Sequence, residues 1–107
     1  MLEFKLTREA TESSDRNFAL LLLALANKYG QAMQDEDAVR LDLPFTRQTM
    51  AELLGVSLET LMRLLRRFRE RGLIRTHRSY LEIVSKERLK EVARTSKFYL
   101  TILEETL

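Results

Sequence analysis

A chain of 107 residues, 45% of them apolar, holds one small domain with enough material for a core. It has no cysteine and one histidine, which excludes disulfides, thiolate zinc sites, cysteine-ligated iron–sulfur clusters, a cysteine nucleophile and paired-histidine metal sites. The formal charge is only +2 but is unevenly placed: residues 1–45 carry five Lys/Arg against eight Asp/Glu, residues 46–80 eight arginines against three glutamates, and residues 81–107 five of each sign.

A local basic excess is the electrostatic footprint of nucleic-acid binding. Arginine in particular presents a fork of donors that matches phosphate and guanine.

Taken in order, the chain opens weakly patterned. Leu2, Phe4 and Leu6 alternate, which fits a short strand and the frayed end of a helix equally. Charged residues replace the apolar core of a signal peptide. The longest apolar run, residues 18–26, is far below the ~20 residues that cross a bilayer. A soluble cytoplasmic protein with no membrane partner is expected. Ser13, Ser14 and Asp15 offer a helix start, with Asp15 suited to the positive end of the helix dipole. The helix should run from residue 16 to about 29. It is apolar nearly all round, so it is buried on more than one side. Either the domain's own core covers it, or a partner chain or a further domain does. Gly30 ends it, and residues 31–38 read as a polar, acidic loop. Residues 39–43 alternate as a half-buried strand does, and Pro44 stops them.

The next stretch, residues 44–74, organises the rest. Thr46 caps a helix in which Met50, Leu53 and Leu54 form one apolar stripe. Gly55 ends it, taking the left-handed conformation cheaply. Ser57 caps a second helix whose Leu61, Leu64, Leu65 and Phe68 share a face, and Gly72 closes that one. Glu59, Arg63, Arg66 and Glu70 point the other way, with Arg67 on one flank and Met62 and Arg69 on the other. Two short helices joined by a glycine-containing turn are the helix-turn-helix pattern, whose second helix enters the major groove. Residues 73–76 and 80–84 then read as two strands around a turn at His77-Arg78-Ser79, a hairpin or wing that strand 39–43 joins as a third strand. Ser85 caps a helix with Leu89, Val92 and Ala93 on its apolar face. Residues 96–107 read as a further helix that packs back on the domain or on a partner.

The fold class is therefore mainly α with a small antiparallel sheet, a winged helix-turn-helix. Residues 1–12 read as an N-terminal extension or, by the family resemblance given next, as the remnant of a dimer helix, residues 13–85 as the DNA-binding domain, and residues 86–107 as a C-terminal helical extension.

Leu43-Pro44 before Thr46-Arg47-Gln48, then Ala51, Leu54-Gly55-Val56, Glu59-Thr60, Arg63 and Gly72-Leu73-Ile74 carry a more specific signal. With the apolar helix ahead of them, these residues resemble the DNA-binding domain of the cyclic-AMP receptor protein/Fnr (Crp/Fnr) family of bacterial transcription regulators, over residues 16–84. The resemblance implies that Glu59, Met62 and Arg63 read base edges: Arg63 guanine, Glu59 a cytosine amino group, Met62 a thymine methyl. It implies phosphate contacts from Thr46, Arg47, Gln48, Ser57 and Thr60, joined by Arg66 and Arg67 and by His77 and Arg78 at the wing tip. The chain departs from the family pattern at Leu58, where many members place arginine, and at Met62, which replaces a small residue. A further departure is the absence of the family's sensor barrel and long dimer helix. Double-stranded DNA is the implied partner, read by a homodimer on a palindrome. RNA polymerase and a sensor domain are further candidate partners.

Nothing reads as catalytic, and no cofactor or metal is expected. His77 stands alone in a turn, and Asp35-Glu36-Asp37 lacks the spacing of a calcium loop. Two alternatives to duplex readout remain: a winged-helix module that binds protein without sequence-specific DNA readout, and RNA binding, which the narrow major groove of A-form RNA disfavours.

Overall fold

The apolar run at 18–26 lies inside one long helix, α1 (Leu2–Tyr29), in a computed structural model that describes residues 2–94, with side chains from residue 14 onward. Phe18, Ala19, Leu22 and Leu25 form its buried stripe, while Leu21, Leu23 and Ala26 are only partly covered and Leu20 remains 45% exposed. The backbone is already helical at residue 2, which decides the open choice at the N-terminus in favour of helix. Ser13, Ser14 and Asp15 consequently do not cap a helix start. Asp15 sits mid-helix, and its carboxylate faces Arg67 and Arg71 instead.

Residues 30–32, expected as helix end and loop, form strand β1 (Gly30–Ala32), antiparallel to β2 (Val39–Leu41). All three β1 residues are exposed, so no apolar alternation could announce the strand; backbone pairing alone makes it. Gly30 is required by close approach. A Cβ there would sit 2.3 Å from the Ala26 carbonyl oxygen and 2.7 Å from Val39 Cγ1. The expected three-stranded sheet is thus four-stranded, in the order β1-β2-β4-β3, with β3 (Ile74–Thr76) and β4 (Leu81–Ile83) making the wing hairpin. The register places Val39 and Ile74 on either side of Ile83, and Arg40 and Arg75 on either side of Glu82.

Helices α2 (Arg47–Leu54) and α3 (Leu58–Glu70) are the expected helix-turn-helix. Thr46 Oγ1 accepts from the Thr49 N–H at 3.2 Å, and Ser57 Oγ from the Thr60 N–H at 3.1 Å. Gly55 adopts φ +78°, and the Gly55 and Val56 N–H groups both reach back to the Ala51 carbonyl, which closes α2 as the chain turns toward α3. Leu61, Leu64, Leu65 and Phe68 are all buried, with Phe68 against Phe18 at 4.7 Å between ring centres. One expectation for α2 fails. Met50 and Ala51 are buried, whereas Leu53 is 57% exposed. In a helix of only two turns, stripes at i, i+1 and at i, i+3 are both apolar here, and packing against α3 selects the first.

Helix α4 (Lys86–Ala93) buries Leu89, Val92 and Ala93 against α1 and belongs to the core rather than hanging from it. Its Arg88 donates to the carbonyls of Arg71 (2.9 Å) and Gly72 (3.2 Å), closing the C-terminal end of α3. The Ser85 hydroxyl donates to Asp37, and the Lys86 N–H donates to the Asp37 carbonyl at 2.9 Å. The acidic turn is thereby tied to the start of α4. The helix expected over residues 96–107 lies outside the described residues.

Candidate nucleic-acid interface

Because α3 buries one face completely, its opposite face is presented outward. Arg63 and Glu59 pair along it at 3.1 Å, with side chains 65% and 82% exposed. The pair is one turn apart and solvated, so it orders the arginine fork but contributes little to stability. Met62 and Arg66 are exposed beside it. Ser57 and Thr60, both expected at phosphates, share a hydroxyl–hydroxyl hydrogen bond of 3.0 Å at the start of the helix. Their position is the positive end of the helix dipole, where backbone N–H groups and hydroxyls favour an anion.

Arg47, at the start of α2, is half-buried. Burial, and then the charge of Arg69 on α3, push its guanidinium below the ordinary arginine value. The shift leaves it cationic at neutral pH, since arginine titrates far above that. No carboxylate among the described residues pairs with Arg47, Arg66, Arg69 or Arg78. Among the described residues, positive charge is therefore gathered on this side without a carboxylate counter-ion. Between the start of α2 and the wing lies a shallow cleft of about 220 Å³, lined by Phe45, Thr46, Arg47, His77, Arg78 and Tyr80 among others. Thr46, Arg47, His77 and Arg78 are thus brought together, while Gln48 is exposed on α2 close by.

Two residues expected at phosphates, Arg67 and His77, also have partners within the domain. Arg67, on the flank of α3, pairs with Asp15 at 3.1 Å, with Arg71 on the same carboxylate at 3.6 Å, and its side chain stays 42% exposed. Desolvation raises the Asp15 carboxyl above its usual value despite the two arginines. His77 lies against Glu82 (2.8 Å to Oε1) and stacks on Tyr80 at 4.2 Å while remaining exposed at the wing. Arg40 covers Tyr80 from the neighbouring strand, 3.9 Å from the ring centre, and pairs with Asp42. This network stiffens the wing and leaves Arg78 exposed at its turn. The sequence reading missed the structural roles of Asp15, Glu82 and Arg88 and the placement of Arg69 beside Arg47. Only Asp15 had a signal, as a lone acid beside an apolar run in a chain whose basic excess needed a partner.

A family model described as the Crp-like helix-turn-helix domain matches residues 18–92. The chain belongs to the Crp-like helix-turn-helix family. Transcription regulators carry this domain as their DNA-binding part, and this chain is such a domain. No curated protein matches the chain. Solved structures do, at low identity. Oxidised CprK in complex with o-chlorophenolacetic acid superposes with a TM-score of 0.67 at 15% identity, over 92% of this chain and 41% of its own. The imidazole-bound CO-dependent transcription factor CooA from Carboxydothermus hydrogenoformans gives 0.64 at 24%, over 74% and 36%. TTHA1359, a CRP/FNR-family transcriptional regulator from Thermus thermophilus, gives 0.65 at 20%, over 85% and 47%. The Crp-like domain described here thus spans less than half the length of each of these chains. Among the described residues no helix is long and apolar enough to cross a membrane.

Proposed function

We propose that this Crp-like domain binds duplex DNA in a sequence-dependent way, with the N-terminal half of α3 in the major groove. One observation carries the reading. The exposed side of α3 presents a Glu59–Arg63 pair near Arg47, Arg66, Arg69 and Arg78, which pair with no carboxylate among the described residues. Phosphates of a duplex would supply the counter-charge for this cluster of arginines. Arg63 is assigned to a guanine edge and Glu59 to a cytosine amino group. Thr46, Arg47, Gln48, Ser57, Thr60, Arg66 and Arg78 are assigned to the backbone, where they set register. Arg67 is assigned to the fold, and His77 supports the wing. Salt dependence tests this. Three backbone arginines (Arg47, Arg66 and Arg78) give a slope of log K against log salt of about −2.7 per protomer. Binding that barely changes with salt would contradict it.

We also propose a homodimer on a palindrome, with half-sites about one helical turn apart. The exposed Leu20 and the partly covered Leu21 and Leu23 supply α1 with a second apolar side for a partner copy. The unbroken run of α1 from residue 2 supports reading residues 1–12 as the end of a dimer helix that leads from a sensor domain. The cell compartment proposed is the cytoplasm, where a DNA-binding regulator meets its operator.

A further inference from the structure

Two arginines converge on one carboxylate where α1 meets the C-terminal end of α3. Arg67 Nη2 lies 3.1 Å from Asp15 Oδ1, and Arg71 Nη1 lies 3.6 Å from Oδ2. Arg67 is in the last turn of α3 and Arg71, one turn on, is its C-cap. Paired guanidinium donors on the oxygens of one acid are also how arginine holds a phosphate. The carboxylate fits the pair poorly. Among the described residues Asp15 Oδ1 accepts no well-aligned hydrogen bond despite the short approach, and the buried Arg67 Nε has no hydrogen-bond partner. Burial raises the Asp15 carboxyl more than the two arginines lower it, so the acid is a weak counter-ion. The acid is mostly covered, whereas the side chains of Arg67 and Arg71 are 42% and 45% exposed. An anion arriving from solvent can therefore reach both. Thr60, expected at a phosphate, lies about two turns before Arg67 on the same flank of α3.

We infer that Arg67 and Arg71 form an anion site that Asp15 fills in the free domain, and that a backbone phosphate of bound DNA takes the place of the Asp15 carboxylate. The inference rests on the DNA-binding reading above. It adds Arg71 to the residues that face the backbone and makes Asp15 an internal competitor of the duplex. In the free domain Arg67 serves the fold; in the complex it serves the backbone. Asp15 opposes the phosphate in two ways, by occupying its arginines and by like-charge repulsion at short range. The acid therefore acts as a brake on affinity, and removing its charge should tighten binding.

The test uses the full chain and the duplex that it enriches from a random library. Asp15→Asn keeps the shape of the side chain and removes its charge, and a thermal melt checks its fold. It should bind that duplex roughly two- to fivefold tighter than wild type, the scale of one exposed ion pair. Its slope of log K against log salt should be steeper by up to about 0.9, because no counterion returns to a displaced carboxylate. Methylphosphonates, which delete the charge of one phosphate at a time, locate the contact. At one phosphate the substitution should weaken Asp15→Asn more than it weakens wild type. In an Arg67→Gln/Arg71→Gln background, Asp15→Asn should bring no gain. If the chain enriches no motif, the DNA-binding reading itself fails. If it enriches one, but Asp15→Asn binds no tighter or gains sensitivity at no single phosphate, the shared anion site alone is overturned. A gain that survives the loss of both arginines overturns it too, as a mere effect of overall charge.

Discussion

Replacing Arg63 by alanine separates the two roles open to an exposed arginine. In the structure its fork meets Glu59 at 3.1 Å, and both side chains lie mostly in solvent. Such a pair is worth roughly 0.3–0.5 kcal/mol, and the higher helix propensity of alanine returns a few tenths of that. Net stability should therefore change by less than about 0.5 kcal/mol, which moves the melting temperature by no more than about 4 °C in a domain this size. Binding behaves differently if the fork reads guanine. Losing a bidentate arginine–guanine contact costs about 1–3 kcal/mol, a roughly 5- to 150-fold weaker Kd. The assay is fluorescence anisotropy on the enriched duplex and on duplexes changed one base pair at a time, alongside thermal melts. The expected pattern is a nearly unchanged melt, weaker binding to the preferred site, and lost discrimination at one base pair. An unchanged affinity and preference would refute the readout. A large fall in melting temperature would show instead that Arg63 serves the fold.

Other consequences follow from the packing. Burial raises the Asp15 carboxyl, so the folded state holds that proton more tightly than the unfolded chain does. Its contribution is therefore fully present below the ordinary aspartate value of 3.8 and is lost as pH rises through the raised value. Urea melts between acid and neutral pH should show wild type losing ground to Asp15→Asn as pH rises; the opposite trend would contradict the assignment. Gly30→Ala places a methyl against the Ala26 carbonyl and should destabilise by about 1–3 kcal/mol, read as a lower urea midpoint. Arg88→Ala uncaps the end of α3 and should cost about 0.3–1 kcal/mol, again by urea melt, with DNA preference intact.

The helix-turn-helix was legible in the sequence because its instructions are local. Thr46 and Ser57 satisfy N–H groups three residues away, Gly55 alone tolerates its φ, and the stripe of Leu61, Leu64, Leu65 and Phe68 repeats at helical spacing. The outward placement of Glu59 and Arg63 followed from the same periodicity. What escaped was set by neighbours distant in the chain. Strand β1 carries no apolar alternation and exists because β2 supplies its hydrogen bonds. Asp15 looked like a cap, but α1 already runs from Leu2 and the carboxylate meets Arg67 and Arg71, which are distant in the chain. Leu53 and Met50 were indistinguishable as apolar residues, and only the packing of α2 on α3 decided which was buried. Periodicity says which side of a helix is apolar, but the free energy of burial and of ion pairing depends on what arrives opposite, and that is decided by the assembled chain.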